Sequence, residues 1–135
     1  MLTTPDPTVP SETDGSAQTP AVSAVRRYYT LVDEGDVPGL VALFAPDAVY
    51  HRPGYPPLVG SAELTAFYLD QRIIREGRHT IASLVADSPH VAVQGTFAGV
   101  LHDGRTVDLR FSDFFTVGQD DRFTRRDTYF FTPLV

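Results

Sequence analysis

The chain has 135 residues, with eleven basic residues (all arginine) against seventeen acidic ones, no cysteine and no tryptophan, and a formal net charge of −6. That length accommodates one apolar core. Missing cysteine excludes disulfides, thiol nucleophiles and zinc–thiolate sites, and missing lysine excludes Schiff-base chemistry and a Walker-type phosphate loop.

The acidic balance argues against a nucleic-acid partner. No apolar run reaches the roughly 18–20 residues of a membrane span, and the N-terminal stretch offers neither a basic nor an apolar signal region. No membrane partner and a cytoplasmic location are therefore expected. Residues 1–20 read as a disordered tail: Pro5, Pro7, Pro10 and Pro20 stand among Ser, Thr and Asp with no apolar periodicity. Such a segment buries too little surface to offset its ordering entropy. Residues 21–135 read as a single domain.

Val22, Val25, Tyr28 or Tyr29, and Val32 recur at helical spacing up to Gly35, which predicts a first helix. Asp36 is placed to cap a short second helix carrying Pro38, with Leu40, Val41 and Phe44 on its apolar side. Ala48 to Arg52 reads as a strand, and the Pro53-Gly54-Tyr55-Pro56-Pro57 run as a loop. A third helix is predicted from about Ser61 to Glu76, with Leu64, Phe67, Tyr68 and Ile74 inward and Gly77 as its stop. The period then changes to two. Strands are predicted at Ile81–Ala86, Val91–Leu101, Thr106–Val117 and Arg122–Thr132, with turns at Asp87-Ser88-Pro89, His102-Asp103-Gly104-Arg105 and Gly118–Asp121. Helices segregated from antiparallel strands mean α+β: a cone-shaped curved sheet packed against three N-terminal helices, able to hold a cavity.

That order and several strings resemble the nuclear transport factor 2-like superfamily. The strings are Val25-Arg26-Arg27-Tyr28, Glu34-Gly35-Asp36-Val37, Val41 to Val49, Phe67-Tyr68 and Arg125 to Phe131. Within it the chain is similar to the ketosteroid isomerase and SnoaL-like polyketide cyclase branch. His51 to Tyr55 and Gly77 to Thr80 look most like the epoxide hydrolase/cyclases of polyether biosynthesis. The resemblance covers about residues 22–132, and it implies an enzyme of small-molecule metabolism, a largely apolar metabolite as substrate and a homodimer.

Several side chains are candidates for chemistry. Asp113 shares a strand face with Leu109, Phe111 and Phe115; desolvation there favours a neutral carboxyl able to donate a proton. In ketosteroid isomerases an aspartic acid on the matching strand donates to the substrate oxyanion. Asp127 is the second carboxylate, on a face with Phe123, Arg125, Tyr129 and Phe131 that is expected inward because its apolar total is larger. It resembles the aspartate of limonene-type epoxide hydrolases, although Thr128 interrupts the string and Phe111 stands where their arginine would be. An edge salt bridge to Arg125 or Arg126 is the alternative for Asp127. Arg52 occupies the position of the isomerase general base. It cannot abstract a proton at neutral pH, and would instead orient a carboxylate or bind negative charge on oxygen. Tyr28, with Tyr29 as its register alternative, matches the tyrosine that binds substrate oxygen. Tyr68 is expected to face the cavity or to sit in the core, and His51 to lie at an interface or on the surface. His79 is the histidine best placed to act as an acid/base partner.

No metal-ligand spacing, phosphate loop or dinucleotide fingerprint is present, so cofactor-free, metal-free acid/base chemistry is expected. The favoured reaction is epoxide opening, by water or by a substrate hydroxyl, with Asp113 as one member of the pair and Asp127 or His79 as the other. Arg52 and the tyrosines would hold polar oxygens, with Phe111, Phe115 and Tyr129 against the substrate. A cyclase or isomerase acting through an enolate is the second reading. A non-catalytic binding or scaffolding domain, with Asp113 paired to a fixed arginine, is the third. Dimer pairing is expected through an outer sheet face bearing Arg110, Ser112, Phe114, Thr124, Arg126, Thr128 and Phe130.

Overall fold

The computed structural model describes residues 19–131. The expected tail lies outside the described residues, except that its last two positions belong to the first helix. Thr19 Oγ1 accepts from the Val22 amide and Pro20 opens α1 (Pro20–Glu34), where the missing proline N–H has no partner to lose. Val22, Val25, Tyr28, Tyr29, Leu31 and Val32 form the buried stripe of α1, and Gly35 closes it in the left-handed region at φ 77°. Asp36 caps α2 (Val37–Val41) by accepting from the Gly39 amide at 2.9 Å.

Six strands follow: β1 (Phe44–His51), β2 (Leu58–Val59), β3 (Ile74–Asp87), β4 (His90–Leu101), β5 (Thr106–Val117) and β6 (Phe123–Phe130). They form one sheet in the order β2-β1-β6-β5-β4-β3, with β1 parallel to β6 and the other pairs antiparallel. The helices cover one face, so the core lies between α1 and the inward side chains of β4, β5 and β6. This is the α+β cone that the sequence predicts.

Phe44, expected on the second helix, instead opens β1, and two larger differences bear on the site. The third helix, α3 (Gly60–Ala66), runs into a π-helical turn at Phe67–Gln71 and ends there. Arg72 is extended, and β3 begins at Ile74. Gly77 is therefore no helix stop. It pairs across the strands with Gly99, and a Cβ at Gly77 would lie 2.3 Å from Cζ of Phe97. The two glycines leave room for the Phe97 ring to lie flat on the sheet. His79 consequently sits within β3, opposite Phe97, rather than at a strand start.

The second difference decides the site. Val117 pairs with Phe123, yet Thr116 pairs with Arg125. Thr124 is thus an extra residue in β6, a bulge that exchanges the faces of everything after it. Phe123 is buried, but so are Arg126 and Thr128. The expected inward set of Arg125, Asp127, Tyr129 and Phe131 lies on the outer face. Tyr129 is 57% exposed and Phe131 72%. Arg126, Thr128 and Phe130, expected outside, point inward.

Candidate functional site

The cone encloses a cavity of about 140 Å³. Phe97, Leu101, Val107, Leu109 and Phe111 from the sheet form its apolar wall. The polar wall comes from Tyr28 of α1, Tyr68 of the π-helical turn, Tyr50 and Arg52 at the end of β1, His79 of β3 and Arg126 of β6, with Arg72 alongside.

Arg126 organises that wall. Its side chain is 5% exposed, and Nη2 donates to Asp113 Oδ2 at 2.7 Å. Nη1 donates to the Tyr28 hydroxyl at 2.6 Å and to the Tyr68 hydroxyl at 3.4 Å. The guanidinium lies 4.5 Å from the ring centroids of both Tyr28 and Tyr50, a stacking that suits its planar, weakly hydrated cation. Burial works against its charge, but the Asp113 carboxylate and the surrounding tyrosines hold its pKa well above the usual arginine value. The Tyr28 and Tyr68 hydroxyls are hydrogen-bonded to each other. Burial, the largest influence, raises the pKa of both above 10. They remain neutral hydroxyls that can donate without ionising.

Asp113 is fully buried and inward, but it does not line the cavity. Tyr29 OH and Arg126 Nη2 both donate to Oδ2, and Thr128 Oγ1 donates to Oδ1. Three convergent donors, one of them charged, engage both carboxyl oxygens, and neither oxygen faces the cavity. That corrects the expected role as proton donor to a substrate. Burial, followed by the charge of Asp113, pushes the Tyr29 hydroxyl well above its ordinary pKa.

Asp127 lies on the outer face, bonded by Arg125 Nε at 2.9 Å and 3.0 Å from His51 Nδ1. The bulge at Thr124 removes it from the cavity and makes the edge salt bridge its role in the fold. Tyr129 likewise packs outside, its ring 5.8 Å from that of Phe114. Phe115 is core, not wall; its ring stands 5.5 Å behind the Arg126 guanidinium.

His79 has a partner that sequence reasoning missed. Asp33, on the last turn of α1, accepts the His79 backbone N–H at 2.8 Å through Oδ2 and meets ring Nδ1 at 2.6 Å through Oδ1. With the carboxylate fixed by one donor, Nδ1–H is the tautomer that satisfies it, which leaves the lone pair on Nε2. The imidazole packs among Tyr29, Phe97 and Phe111. Burial lowers its pKa below 6.5, partly opposed by the hydrogen bond to Asp33. At neutral pH it is an unprotonated base in a largely apolar cavity.

Arg126, Thr128 and Asp33 were therefore legible only in part. Asp33 does follow Tyr29 by four residues on one helix face, a spacing that places both side chains toward the same neighbour. Nothing in the local sequence distinguishes Arg126 from Arg125.

Among solved structures, the chain is similar to an NTF2-like protein of unknown function from Burkholderia pseudomallei. The TM-score is 0.76 at 22% identity, covering 84% of this chain and 92% of that one. It is also similar to SalBIII, described as an epoxide hydrolase/cyclase-like enzyme in pyran ring formation in the polyether salinomycin; the TM-score is 0.73 at 21% identity, over 82% and 89%. A proposed polyketide cyclase from Xanthomonas campestris matches with a TM-score of 0.69 at 24% identity, over 82% and 89%. These likenesses establish the fold. The profile of the SnoaL-like domain matches residues 25–126, and the chain accordingly belongs to the SnoaL-like domain family.

Proposed function

We propose that this protein is an acid/base enzyme acting on a small carbonyl metabolite of polyketide type through an enolate. One observation carries the reading. A neutral histidine, oriented by Asp33, shares an apolar cavity with a tyrosine pair backed by a buried arginine. His79 Nε2 takes the proton α to the carbonyl, the C–H electron pair forms the C=C bond, and the carbonyl oxygen becomes an oxyanion. The Tyr28–Tyr68 pair, polarised by Arg126, has one hydroxyl proton free of its mutual hydrogen bond and donates it to that oxygen. Because their pKa values are raised, they stabilise the charge without giving up their protons. The imidazolium then returns the proton, either to another carbon or to the alkoxide formed when the enolate closes a ring.

Epoxide opening divided between two carboxyls is not favoured. No Asp or Glu among the described residues lines the cavity. A form of it using His79 as base and the tyrosine pair as acid is the second reading, supported by the likeness to SalBIII. The two are separated by incubation in D₂O with 2-tetralone and, separately, styrene oxide, followed by NMR. The enolate reading expects α-deuteration of the ketone well above the buffer rate, falling by about 10²–10⁴-fold in His79→Gln. Exchange at the buffer rate, or an unaffected variant, would contradict it. Diol formation without ketone exchange would favour the epoxide reading.

A further inference from the structure

In a chain of net charge −6, this cavity is locally positive. The Arg126 charge is matched by Asp113, and His79 is neutral, but Arg52 and Arg72 are not matched. Neither guanidinium donates a hydrogen bond or forms an ion pair with any described residue, and the Nε of each is buried without an acceptor. Both are held by aromatic rings instead. The Arg52 guanidinium lies 5.2 Å from the Phe67 centroid and 5.4 Å from those of Tyr55 and Phe130, and the Arg72 guanidinium 5.7 Å from that of Tyr68.

Phe67 and Tyr68 are consecutive residues of the π-helical turn. Such turns are rare and occur frequently at functional sites. Here the turn ends α3 early, so that Arg72 lies beside the cavity rather than continuing around a helix. The result is two planar cations over adjacent aromatic rings, both at the cavity wall, with no carboxylate among the described residues to satisfy them. Two partly desolvated guanidinium groups without acceptors form an incomplete hydrogen-bonding arrangement, which an oxyanion completes.

We infer that Arg52 and Arg72 form an anion subsite, and that the ligand is an apolar molecule carrying one carboxylate or an equally delocalised acidic enolate. This deepens the enolate reading by naming the substrate class. Arg52 and Arg72 hold the permanent negative group, while the Tyr28–Tyr68–Arg126 set is left for the oxygen that becomes charged. The apolar wall of Phe97, Leu101, Leu109 and Phe111 argues for a hydrophobic body rather than a free small anion such as phosphate.

The test uses 2-naphthoate and its neutral isostere 2-naphthamide, titrated into the full chain by calorimetry, with equimolar inorganic phosphate as competitor. The expected result is that naphthoate binds about tenfold tighter than the amide or better. Arg52→Gln and Arg72→Gln should each remove most of that preference, and phosphate should not compete. Equal binding of acid and amide, binding of neither, or displacement by equimolar phosphate would overturn the inference. The two wild-type affinities decide it even if a variant folds poorly. His79→Gln should keep the preference for naphthoate over naphthamide, so a failure of the general-base reading and a failure of the anion subsite are read out separately.

Discussion

Replacing Asp113 with Asn removes one charge from the best-buried ion pair among the described residues. The Asp113 side chain is 0% exposed and that of Arg126 is 5%. In the variant Arg126 keeps its charge but loses its counterion. The new amide must also point its NH₂ either at Thr128 or at Tyr29 and Arg126, all of which donate to the native carboxylate. Leaving one member of a buried pair uncompensated costs about 3–5 kcal/mol, against a total stability of about 5–15 kcal/mol for a domain. At roughly 4 °C per kcal/mol for a chain of this size, Asp113→Asn should melt about 12–20 °C below the wild type. The assay is thermal and urea denaturation, both followed by far-UV circular dichroism, since there is no tryptophan to report. The double variant Asp113→Leu with Arg126→Met should recover most of the loss, because an apolar pair of similar volume is often neutral or stabilising. A single variant within about 1 kcal/mol of the wild type at unchanged m-value would refute the view that Asp113 is structural counterion rather than reacting acid.

Asp33 raises the His79 pKa against the larger lowering by burial. Asp33→Asn should therefore move the acid limb of the exchange rate to lower pH, and Asp33→Glu should restore it in part. Because the folded pKa of His79 is depressed below 6.5, its contribution to stability is present above that pH and is lost as pH falls through the folded value. His79→Gln should flatten that part of the stability–pH curve in urea titrations. Gly77→Ala would set a methyl 2.3 Å from Phe97 Cζ and drive the ring toward the cavity; a loss of about 1–3 kcal/mol is expected by thermal melting, together with weaker naphthoate binding. The outer sheet face exposes Phe114 at 50%, beside Tyr129. If the chain pairs through this face as a homodimer, Phe114→Glu should give a monomer in sedimentation velocity where the wild type does not.

The fold was legible because its signals are local. Gly35 and Asp36 mark the helix boundary between α1 and α2, and the change from helical spacing to alternation near Thr80 announces the sheet; Thr19 and Pro20, read as tail, instead cap and open α1. Asp113 was placed inward correctly from its three apolar neighbours Leu109, Phe111 and Phe115, yet its partner was not. Counting apolar residues on β6 chose the wrong face, since Phe123 is inward while Tyr129 and Phe131 are not. A bulge at Thr124 leaves no mark in composition, and one extra residue reverses every later side chain. The π-helical turn was equally hidden: Ile73, Ile74 and Gly77 look like the end of a helix, but Phe97, twenty residues beyond Gly77, is what requires glycine there. The Asp33–His79 contact spans 46 residues and depends on how α1 crosses β3, which no short window contains.

The proposed chemistry depends on His79 being a neutral base with its lone pair on Nε2. Its ring nitrogens can be observed directly by ¹⁵N NMR of histidine-labelled protein, with His79→Gln providing the assignment. The Nδ1–H tautomer at neutral pH and a titration midpoint below 6.5 are expected. An Nε2–H tautomer, or an imidazolium still present at pH 7, would contradict it.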